Sequence, residues 1–473
     1  MASLPRAGHA PGGAPGREPE VGQAEPGASA SPERLDRPFG DPLVQRLFPR
    51  VAVGVRWGLE RTFDALADLG DPHLRYASVH VGGTNGKGSV ASTVDTVLRE
   101  HGLRSVLYTS PHLCSFRERF LLDGLPVDEA LLLDAADGVR DVVERHGLTF
   151  FEAATVLGFH LFAEVGAEVA VVEVGLGGRL DATNVLTPAC SAITNVAMDH
   201  ADFLGDTLPQ IALEKAGIIK AGIPALTAER DPDLLEIFRR VARERGADLT
   251  VLDLDRDLHD LELDRTHTGF VLETRSWGAL RLRTPLVGRH QACNAALAVE
   301  ALEHLPERLR PTAEAVVRGV GRVRWPGRDQ IETLDGGTWI FDVAHNVAGT
   351  ESLVDTLDRL DLPRPLVAVV GVLGDKEWGV MLPPLFERVE RAFLTLSPSA
   401  PLERRWNPRE AMAVVEGLPG GTPCPLAVEE DFPEALRRAR RAAGEGTVVV
   451  TGSVYTVGSA LRTLGLEPFP ARP

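Results

Sequence analysis

A glycine-rich segment between a predicted strand and a predicted helix constrains this chain more than any other feature. Residues 76–81 have the apolar pattern of a buried strand, and residues 89–100 have helical periodicity. Between them the sequence reads GGTNGKGS. Its glycines let backbone N–H groups turn toward an anion, and the start of a helix adds the positive end of its dipole. The segment therefore predicts a phosphate-binding turn at the edge of an α/β sheet.

Two side chains of this segment suit the phosphates of a nucleotide. Lys87 is placed to reach the β- and γ-phosphates, and the hydroxyl of Ser89 is placed to ligate Mg²⁺. The segment is not a strict Walker A loop, since its spacing is one residue shorter than GxxxxGK and Gly88 separates the lysine from the serine. A glycine-rich turn without a ligand is the alternative that these residues leave open.

Short apolar runs alternate with amphipathic stretches from residue 42 onward, which favours an α/β fold built on parallel strands. A break falls at residues 322–328 (RVRWPGR), where Pro326 and Gly327 interrupt the pattern. We therefore predict a P-loop-type, mostly parallel N-terminal domain over 42–325 and a smaller Rossmann-like α/β domain over 326–473, with ligands in the cleft between them. The sequence predicts strands at residues 105–108, 168–174, 191–195, 338–341, 366–372, 392–396 and 447–451, a helix at 347–360, and antiparallel β-structure within 249–285.

The charge balance and the cysteines narrow the class of protein. Acidic side chains number 67 and basic ones 50, a net charge of −17 that argues against a nucleic-acid or anionic-membrane partner. The four cysteines form no CxxC pair, which favours a reducing cytoplasm over a disulfide framework or zinc site. No apolar run approaches the 18 residues of a membrane span. Residues 1–41 are rich in Pro, Gly and Ala and lack an apolar signal core, which predicts a disordered tail.

Lysine is scarce in this chain, which carries four lysines against 46 arginines. An ammonium group can lose its proton and act as a neutral amine, whereas a guanidinium group cannot. Each retained lysine is therefore a candidate for chemistry that arginine cannot perform. The four positions are Lys87, Lys215, Lys220 and Lys376.

Motifs spread over residues 42–465 carry a family resemblance. The loop GTNGKGS resembles the ATP loop of the Mur ligase superfamily, specifically of its folylpolyglutamate synthase/dihydrofolate synthase branch. Further segments resemble that branch in the same order: TSPHL at 109–113, RERF at 117–120, TFFE at 149–152, EVGLGGRLDATN at 173–184, DH at 199–200, LGDT at 204–207, EKAGI at 214–218, GRHQ at 288–291, WPGR at 325–328, DVAHN at 342–346, DK at 375–376 and GSVY at 452–455. The resemblance implies an active site in the cleft between the two predicted domains.

The resemblance implies an ATP site that also holds Mg²⁺, at two positions. Glu173 ends an apolar run before a glycine-rich turn, which places a carboxylate where it can hold a metal over the phosphates. An ordinary loop glutamate is the alternative there, and a structural histidine is the alternative at His200. The expected metal ligands are Ser89, Glu173, His200 and Lys215. The expected nucleotide contacts are Thr84, Asn85, Gly86, Lys87, Gly88, Ser89, Asn294, Arg328 and Asp342.

Lys215 poses a chemical problem, because an ammonium group repels Mg²⁺. The resemblance places this lysine beside the second metal, where family members carry a carbamylated lysine. A neutral amine adds CO₂ and becomes an anionic oxygen ligand, N6-carboxylysine, and this step requires a lowered amine pKa. From the residues alone, a helix-surface lysine paired with Glu214 is the equal alternative.

Two further residues join Lys87 and Lys215 as expected catalytic groups. Arg328 lies at the predicted hinge, where it could neutralise phosphate charge when the domains close, although a linker salt bridge is the alternative. His345 resembles a family residue associated with the phosphate or the incoming amino acid, and a neighbour of a helix cap is its alternative.

The organic substrate is expected to contact a separate set of residues. The pair Asp181 and Ala182 is associated with bifunctional members of the family, although Asp181 could serve only to order its loop through backbone N–H groups. Ser453 and Tyr455 could line the cleft or merely cap the last helix. The full expected set is Ser110, Pro111, His112, Thr149, Phe151, Glu152, Leu180, Asp181, Ala182, Ser453 and Tyr455.

The activity implied by the resemblance is ATP-dependent ligation. L-glutamate would be joined to dihydropteroate, to the γ-carboxylate of a (tetrahydro)folate, or to both, through an acyl phosphate, by a cytoplasmic monomer that acts on small molecules. A peptidoglycan-type Mur ligase is one alternative, disfavoured by the TSPHL and TFFE segments. A P-loop NTPase that is not coupled to ligation is another, disfavoured by the loop spacing.

Overall fold

The fold is described by a computed structural model, which covers residues 42–48, 51, 54, 56–418 and 421–470. The predicted tail at 1–41 lies outside the described residues. Among the residues that the structure describes, no helix is long and apolar enough to cross a bilayer.

The N-terminal half forms an eight-stranded, mostly parallel sheet, as predicted. Its strands are β1 (Ala77–Gly82), β2 (Ser105–Tyr108), β3 (Phe120–Leu122), β4 (Leu125–Pro126), β5 (Val169–Glu173), β6 (Cys190–Ile193), β7 (Ala225–Thr227) and β8 (Leu249–Val251). The spatial order is β4-β3-β2-β5-β1-β6-β7-β8. Strands β2 through β8 in this order run parallel, and the β2–β3 and β3–β4 pairs are antiparallel.

Helices cover both faces of this sheet. They are α1 (Pro42–Leu47), α2 (Glu60–Asp68), α3 (Lys87–Glu100), α4 (Glu129–His146), α5 (Phe150–Glu164), α6 (Ala201–Leu204), α7 (Leu208–Ala216), α8 (Pro232–Glu244), α9 (Leu254–Asp257), α10 (Arg289–Glu303) and α11 (Ala313–Val320). Tyr108 and Val172 pack with α4 and α5, whereas Val79 and Val171 pack with α3, α10 and α11, because alternate strand residues face opposite sides. Burial on both faces explains why β5 reads as a continuous apolar run.

The segment 249–285 divides between two sheets. Strands β9 (Leu258–Leu263), β10 (Thr268–Thr274) and β11 (Gly278–Thr284) form the predicted antiparallel element, which packs on α10. The first three residues of the segment instead form β8, which pairs in parallel with β7 at the edge of the large sheet. The sequence could not separate β8 from the others, because pairing partners are chosen by tertiary packing and not by the local pattern.

The C-terminal half forms a six-stranded sheet in the order β12-β13-β17-β14-β15-β16. The strands are β12 (Gln330–Leu334), β13 (Gly337–Phe341), β14 (Leu366–Val370), β15 (Arg391–Leu394), β16 (Leu426–Val428) and β17 (Thr447–Thr451), and all pairs are parallel except β12–β13. The helices are α12 (Val347–Arg359), α13 (Trp378–Met381), α14 (Pro383–Phe386), α15 (Pro408–Glu416), α16 (Phe432–Ala443) and α17 (Val454–Thr463). The edge strands β12 and β16 were not predicted; both are half-buried, β12 mixes polar with apolar residues, and β16 is only three residues long.

The last helix docks the C-terminal sheet against a loop of the N-terminal sheet. In α17, Gly458 lies so close to the backbone of Leu113 that a Cβ would sit 2.1 Å from the Leu113 carbonyl oxygen. The guanidinium of Arg462 donates to the Cys114 carbonyl at 3.0 Å. These contacts hold the two halves on either side of one cleft.

Gly458→Ala is expected to lower the free energy of unfolding, although alanine is normally favoured over glycine inside a helix by about 1 kcal/mol. The added Cβ would meet a backbone oxygen that cannot move aside. Gly379→Ala in α13 is the matched control, since its Cβ would meet only Val414 Cγ1 at 3.6 Å. Denaturant unfolding measures both variants, and equal stability of the two would contradict the close packing of α17.

Candidate active site

The predicted phosphate loop joins the end of β1 to the start of α3, so its backbone N–H groups surround the helix N-terminus. The loop is pressed against the residues that follow β6. Gly83 has a φ of +127°, and a Cβ there would lie 1.9 Å from the Thr194 hydroxyl oxygen. Only glycine fits this position, because both the backbone conformation and the available space exclude a side chain.

This loop forms one wall of a cavity of about 170 Å³. The opposite wall is built from the start of α10 and from the residues between β13 and α12. Every residue predicted to contact the nucleotide or the metal lines this cavity: Thr84, Asn85, Gly86, Lys87, Gly88, Ser89, Glu173, His200, Lys215, Asn294, Arg328 and Asp342. The structure therefore brings together residues that are up to 258 positions apart in the chain (Thr84 to Asp342).

Two oxygen donors in this cavity are suited to a divalent cation. The Ser89 hydroxyl is buried in the first turn of α3 and has no hydrogen-bond partner. At the end of β5, Glu173 Oε2 accepts hydrogen bonds from the Thr109 hydroxyl and from the backbone N–H of Ser110. An unpartnered buried hydroxyl and an oriented carboxylate fit the oxygen preference of Mg²⁺. Within the described part of the chain, no three His, Cys, Asp or Glu side chains cluster as a metal site.

Lys215 lies buried on α7, in an environment that disfavours its charge. Its Nζ donates to the Gly83 carbonyl at 2.9 Å. Burial, reinforced by the positive charge of Lys87, lowers the pKa of Lys215 to about 7. The surface lysine considered as an alternative is therefore wrong for this position, since Lys215 is only 3% exposed. The salt bridge of Glu214 runs instead to Arg179.

Asp199 connects the two halves across the cleft. Its carboxylate, which follows β6, accepts hydrogen bonds from the Lys376 ammonium and from Asn346 Nδ2 at 3.0 Å, and it lies 3.2 Å from His345 Nε2. Burial opposes the charge of Asp199, but the hydrogen bond from His345 and the charges of His345, His200 and Lys376 outweigh it and hold the pKa of this carboxyl well below its usual range. Asp199 is therefore ionised when it binds these side chains.

A second cavity of about 350 Å³ adjoins the first. Phe151, Leu180 and Ala182 give it an apolar wall. Thr149 is the N-cap of α5 and forms a capping box with Glu152. The Glu152 carboxylate also pairs with Arg61 at 2.8 Å. All but one of the predicted substrate residues line it: Ser110, Pro111, Thr149, Phe151, Glu152, Leu180, Asp181, Ala182, Ser453 and Tyr455.

His112 is the predicted substrate residue that the structure does not bring to either of these two cavities. Its Nδ1 accepts a hydrogen bond from Arg119 Nε at 3.1 Å, and its ring packs edge-on against Phe116. It lies behind the wall of the second cavity, because the loop after β2 turns its neighbours Ser110 and Pro111 inward.

The two cavities share part of their lining, which places them end to end. The shared residues are Ser110, Pro111, Gly175, Leu176, His200, Arg328, Val343 and His345. Arg328 is therefore positioned where a group in one cavity meets a group in the other. This arrangement allows an oxygen nucleophile in the apolar cavity to reach a phosphate in the loop cavity.

Several residues of the second cavity were not predicted. Among them are Trp57, Arg119, Lys376 and Arg404, which come from four separate stretches of the chain. Arg119 is 2% exposed and lies over the rings of Phe116 and Phe150, each at 5.6 Å. Arg119 lies in the RERF motif and Lys376 in the DK motif, so the sequence carried a signal for these two residues, whereas Trp57 and Arg404 lie outside the motifs.

Known proteins resemble this chain over most of its length. Residues 81–302 match the sequence profile described as the Mur ligase middle domain, and residues 327–454 match that of the Mur ligase glutamate ligase domain. A folylpolyglutamate synthase from Lacticaseibacillus casei is 33% identical over 426 residues, which cover 88% of this chain and 96% of that protein. A dihydrofolate synthase/folylpolyglutamate synthase from Mycobacterium tuberculosis is 34% identical over 440 residues, 85% of this chain and 89% of that one.

The fold matches a solved structure equally well. Mycobacterium tuberculosis folylpolyglutamate synthase complexed with ADP superimposes with a TM-score of 0.83 at 30% identity. The match covers 90% of this chain and 99% of the other.

Removing one partner of the Asp199–Lys376 pair is expected to destabilise the protein. Asp199→Asn should lower the free energy of unfolding by about 3 kcal/mol, because it leaves the buried Lys376 ammonium without its carboxylate. Lys376→Met should cost less, because Asp199 keeps its contacts with Asn346 and His345. The double variant should recover part of that loss. Asp375→Asn, which breaks the more exposed pair with Arg404, is the control and should cost less than about 1 kcal/mol. Additive losses in the double-mutant cycle would contradict a direct interaction.

Proposed function

Because this chain belongs to the Mur ligase family, in the branch of the folylpolyglutamate synthases and dihydrofolate synthases, we propose that it joins L-glutamate to dihydropteroate, to the γ-carboxylate of a reduced folate, or to both. ATP drives the reaction, in keeping with the ADP carried by the solved relative. The observation that carries this proposal is the shared wall of the two cavities, with Arg328 and His345 at the junction.

The reaction proceeds in two steps. In the first step, the substrate carboxylate attacks the γ-phosphorus of ATP, and the bond from that phosphorus to the bridging oxygen breaks. The products are an acyl phosphate and ADP. The amine of glutamate then attacks the acyl carbon, a proton is lost from nitrogen, and inorganic phosphate departs as the amide forms. Neither step needs a covalent bond to the protein, so positioning and charge neutralisation carry the catalysis.

The residues of the loop cavity supply that neutralisation. Lys87 and the N-terminus of α3 face the site of the phosphates, and Arg328 faces the junction where the carboxylate meets the γ-phosphate. Lys87 and Arg328 are half-buried, and their partial removal from water strengthens their electrostatic effect. Closure of the cleft over the substrates would keep water away from the acyl phosphate.

A divalent cation would complete this site. The Ser89 hydroxyl and the Glu173 carboxylate provide oxygen ligands at the phosphate end, and His200 lines both cavities beside them. Bound Mg²⁺ would neutralise phosphate charge and so favour attack by the carboxylate. Two such positions are proposed, the second one near Lys215.

Carbamylation would turn Lys215 from a repelling group into a ligand for the second cation. The neutral amine adds to the carbon of CO₂ and releases one proton, which leaves an anionic carbamate. A pKa of about 7 keeps a substantial neutral fraction of Lys215 at physiological pH, a condition that an exposed lysine does not meet. Arginine cannot form this group.

The second cavity would hold the organic substrates. Phe151 offers a ring face and Asp181 an acceptor for the pterin, while Ser453, Tyr455 and His345 lie on the C-terminal side, where glutamate would enter. The domain limits at 41 and 325, the monomeric state and the cytoplasmic location stay predictions.

Ligation is tested by supplying the purified protein with MgATP, L-glutamate and either dihydropteroate or tetrahydrofolate. ADP release should depend on both glutamate and the pterin substrate, and mass spectrometry should show a product heavier by one glutamyl unit. The Lys87→Ala variant is the negative control and should lose ATP turnover while remaining folded. ATP hydrolysis that is indifferent to glutamate and folate would support an uncoupled NTPase and overturn the proposal.

Lys215→Arg is expected to reduce the rate of ligation by at least about a hundredfold, as for the loss of a group that stabilises transition-state charge. The matched control is Lys220→Arg, since Lys220 donates to the Asn184 carbonyl at 2.6 Å, a contact that arginine can replace. In the wild-type protein, activation by bicarbonate should grow as pH rises through about 7, because the neutral amine accumulates above its pKa. Full activity of Lys215→Arg would refute the carbamate.

A further inference from the structure

A chain of three buried polar side chains runs from the strand of the phosphate loop to the wall of the second cavity. On β1, His80 Nε2 lies 2.8 Å from the hydroxyl of Thr183. That hydroxyl lies 2.5 Å from Asp181 Oδ1, and Asp181 lines the second cavity. His80 and Thr183 are fully buried, and Asp181 is 5% exposed.

The donor and the acceptor in each of these hydrogen bonds can be assigned from the contacts of the two Asp181 oxygens. Asp181 Oδ1 accepts from the Thr183 backbone N–H at 3.0 Å, and Oδ2 accepts from the Leu176 N–H at 2.8 Å. The ionised form of Asp181 accepts from all of these donors, and the single hydroxyl proton of Thr183 then points to Oδ1. The hydroxyl oxygen must then accept from His80, which therefore carries its proton on Nε2.

His80 is held uncharged at this position. Burial, together with the positive charge of Lys220, lowers the pKa of His80 to about 3. Its Nδ1 has no hydrogen-bond partner, which fits an Nε2–H tautomer whose other nitrogen keeps only a lone pair. Burial raises the pKa of Asp181 above its ordinary value, and the hydrogen bonds from the Thr183 hydroxyl and from the backbone N–H groups of Leu176, Thr183 and Gly175 offset only part of that rise.

From this geometry we infer that His80 and Thr183 are positioning residues, which hold Asp181 as an oriented, acceptor-only carboxylate so that the second cavity selects a substrate presenting N–H donors. The inference rests on the proposed function, because it takes the pterin ring as the bearer of those donors. Asp181 keeps one face toward the cavity, beside Gly175, where a Cβ would lie 3.1 Å from Oδ2 and 2.3 Å from the Phe151 ring. Neither His80 nor Thr183 reaches the cavity, so both act only through Asp181.

The test compares Thr183→Val with Thr183→Ser in the full-length protein. Valine keeps the shape of threonine and lacks the hydroxyl, whereas serine keeps the hydroxyl. Thr183→Val should raise the KM for dihydropteroate about tenfold, the scale expected for a hydrogen bond to a charged group. The KM for ATP should change less than about twofold, and Thr183→Ser should restore the wild-type KM within about threefold.

Two further variants separate positioning from general damage. Thr395→Val is the matched control, because the Thr395 hydroxyl is also buried but has no partner and lies outside both cavities. His80→Gln retains a hydrogen-bond donor at a similar distance from the backbone, so its KM for dihydropteroate should be closer to the wild-type value than that of His80→Leu. Equal KM values for Thr183→Val and Thr183→Ser, or a parallel rise in the KM for ATP, would overturn the inference.

The same variants are also assayed with tetrahydrofolate, so that the KM comparison can be made even if the wild-type protein does not use dihydropteroate. A wild-type protein inactive with both substrates would refute the proposed function. The hydrogen bonds from His80 to Asp181 would then be tested directly by NMR. Histidine-selective ¹⁵N NMR, assigned with His80→Gln, should show a protonated Nε2 whose resonance shifts in Thr183→Val. A protonated Nδ1 in the wild type would overturn the inference independently of activity.

Discussion

The contact of one carboxylate with three side chains of the opposite half connects the two halves of the molecule at the cleft. Asp199 follows β6 of the N-terminal sheet and binds Lys376, His345 and Asn346 of the C-terminal half. Asn346 also exchanges hydrogen bonds with Asn85 of the phosphate loop. Together with the contacts of α17, this bridge holds the halves on either side of the two cavities, whose shared wall contains residues of both halves.

The scarcity of lysine gains a structural meaning from these contacts. Each lysine donates to a defined acceptor: Lys87 to the Thr84 carbonyl, Lys215 to the Gly83 carbonyl, Lys220 to the Asn184 carbonyl and Lys376 to Asp199. Burial lowers the pKa of Lys215 to about 7 and that of Lys220 to about 8. A compact ammonium fits the buried sites of Lys215 and Lys376, whereas the surface cations of this chain are arginines. Lys220, which had no expected role, lies close enough to His80 to affect its pKa.

Much of the architecture could be predicted because buried parallel strands leave a strong local pattern. Strands β2 and β17 occupy the residues expected, and α12 begins and ends within one residue of its predicted limits. The half-buried edge strands β12 and β16 escaped prediction because β12 mixes polar with apolar residues and β16 has only three residues. Most of the predicted site residues lie inside the motifs. Arg119 was not predicted although RERF contains it, and Arg404 lies in no motif, since an arginine that lines a cavity has the same local sequence as one on the surface.

The sequence by itself determined the phosphate loop, the alternation that yields a parallel α/β fold, and the family to which the chain belongs. These features are local or ordered along the chain, so pattern and spacing suffice to recognise them. Only the tertiary structure decided the pKa of Lys215, the bridge at Asp199 and the hydrogen-bond chain from His80 to Asp181. Burial and hydrogen-bond direction depend on side chains more than a hundred residues apart, and no local pattern in the chain records which of them meet.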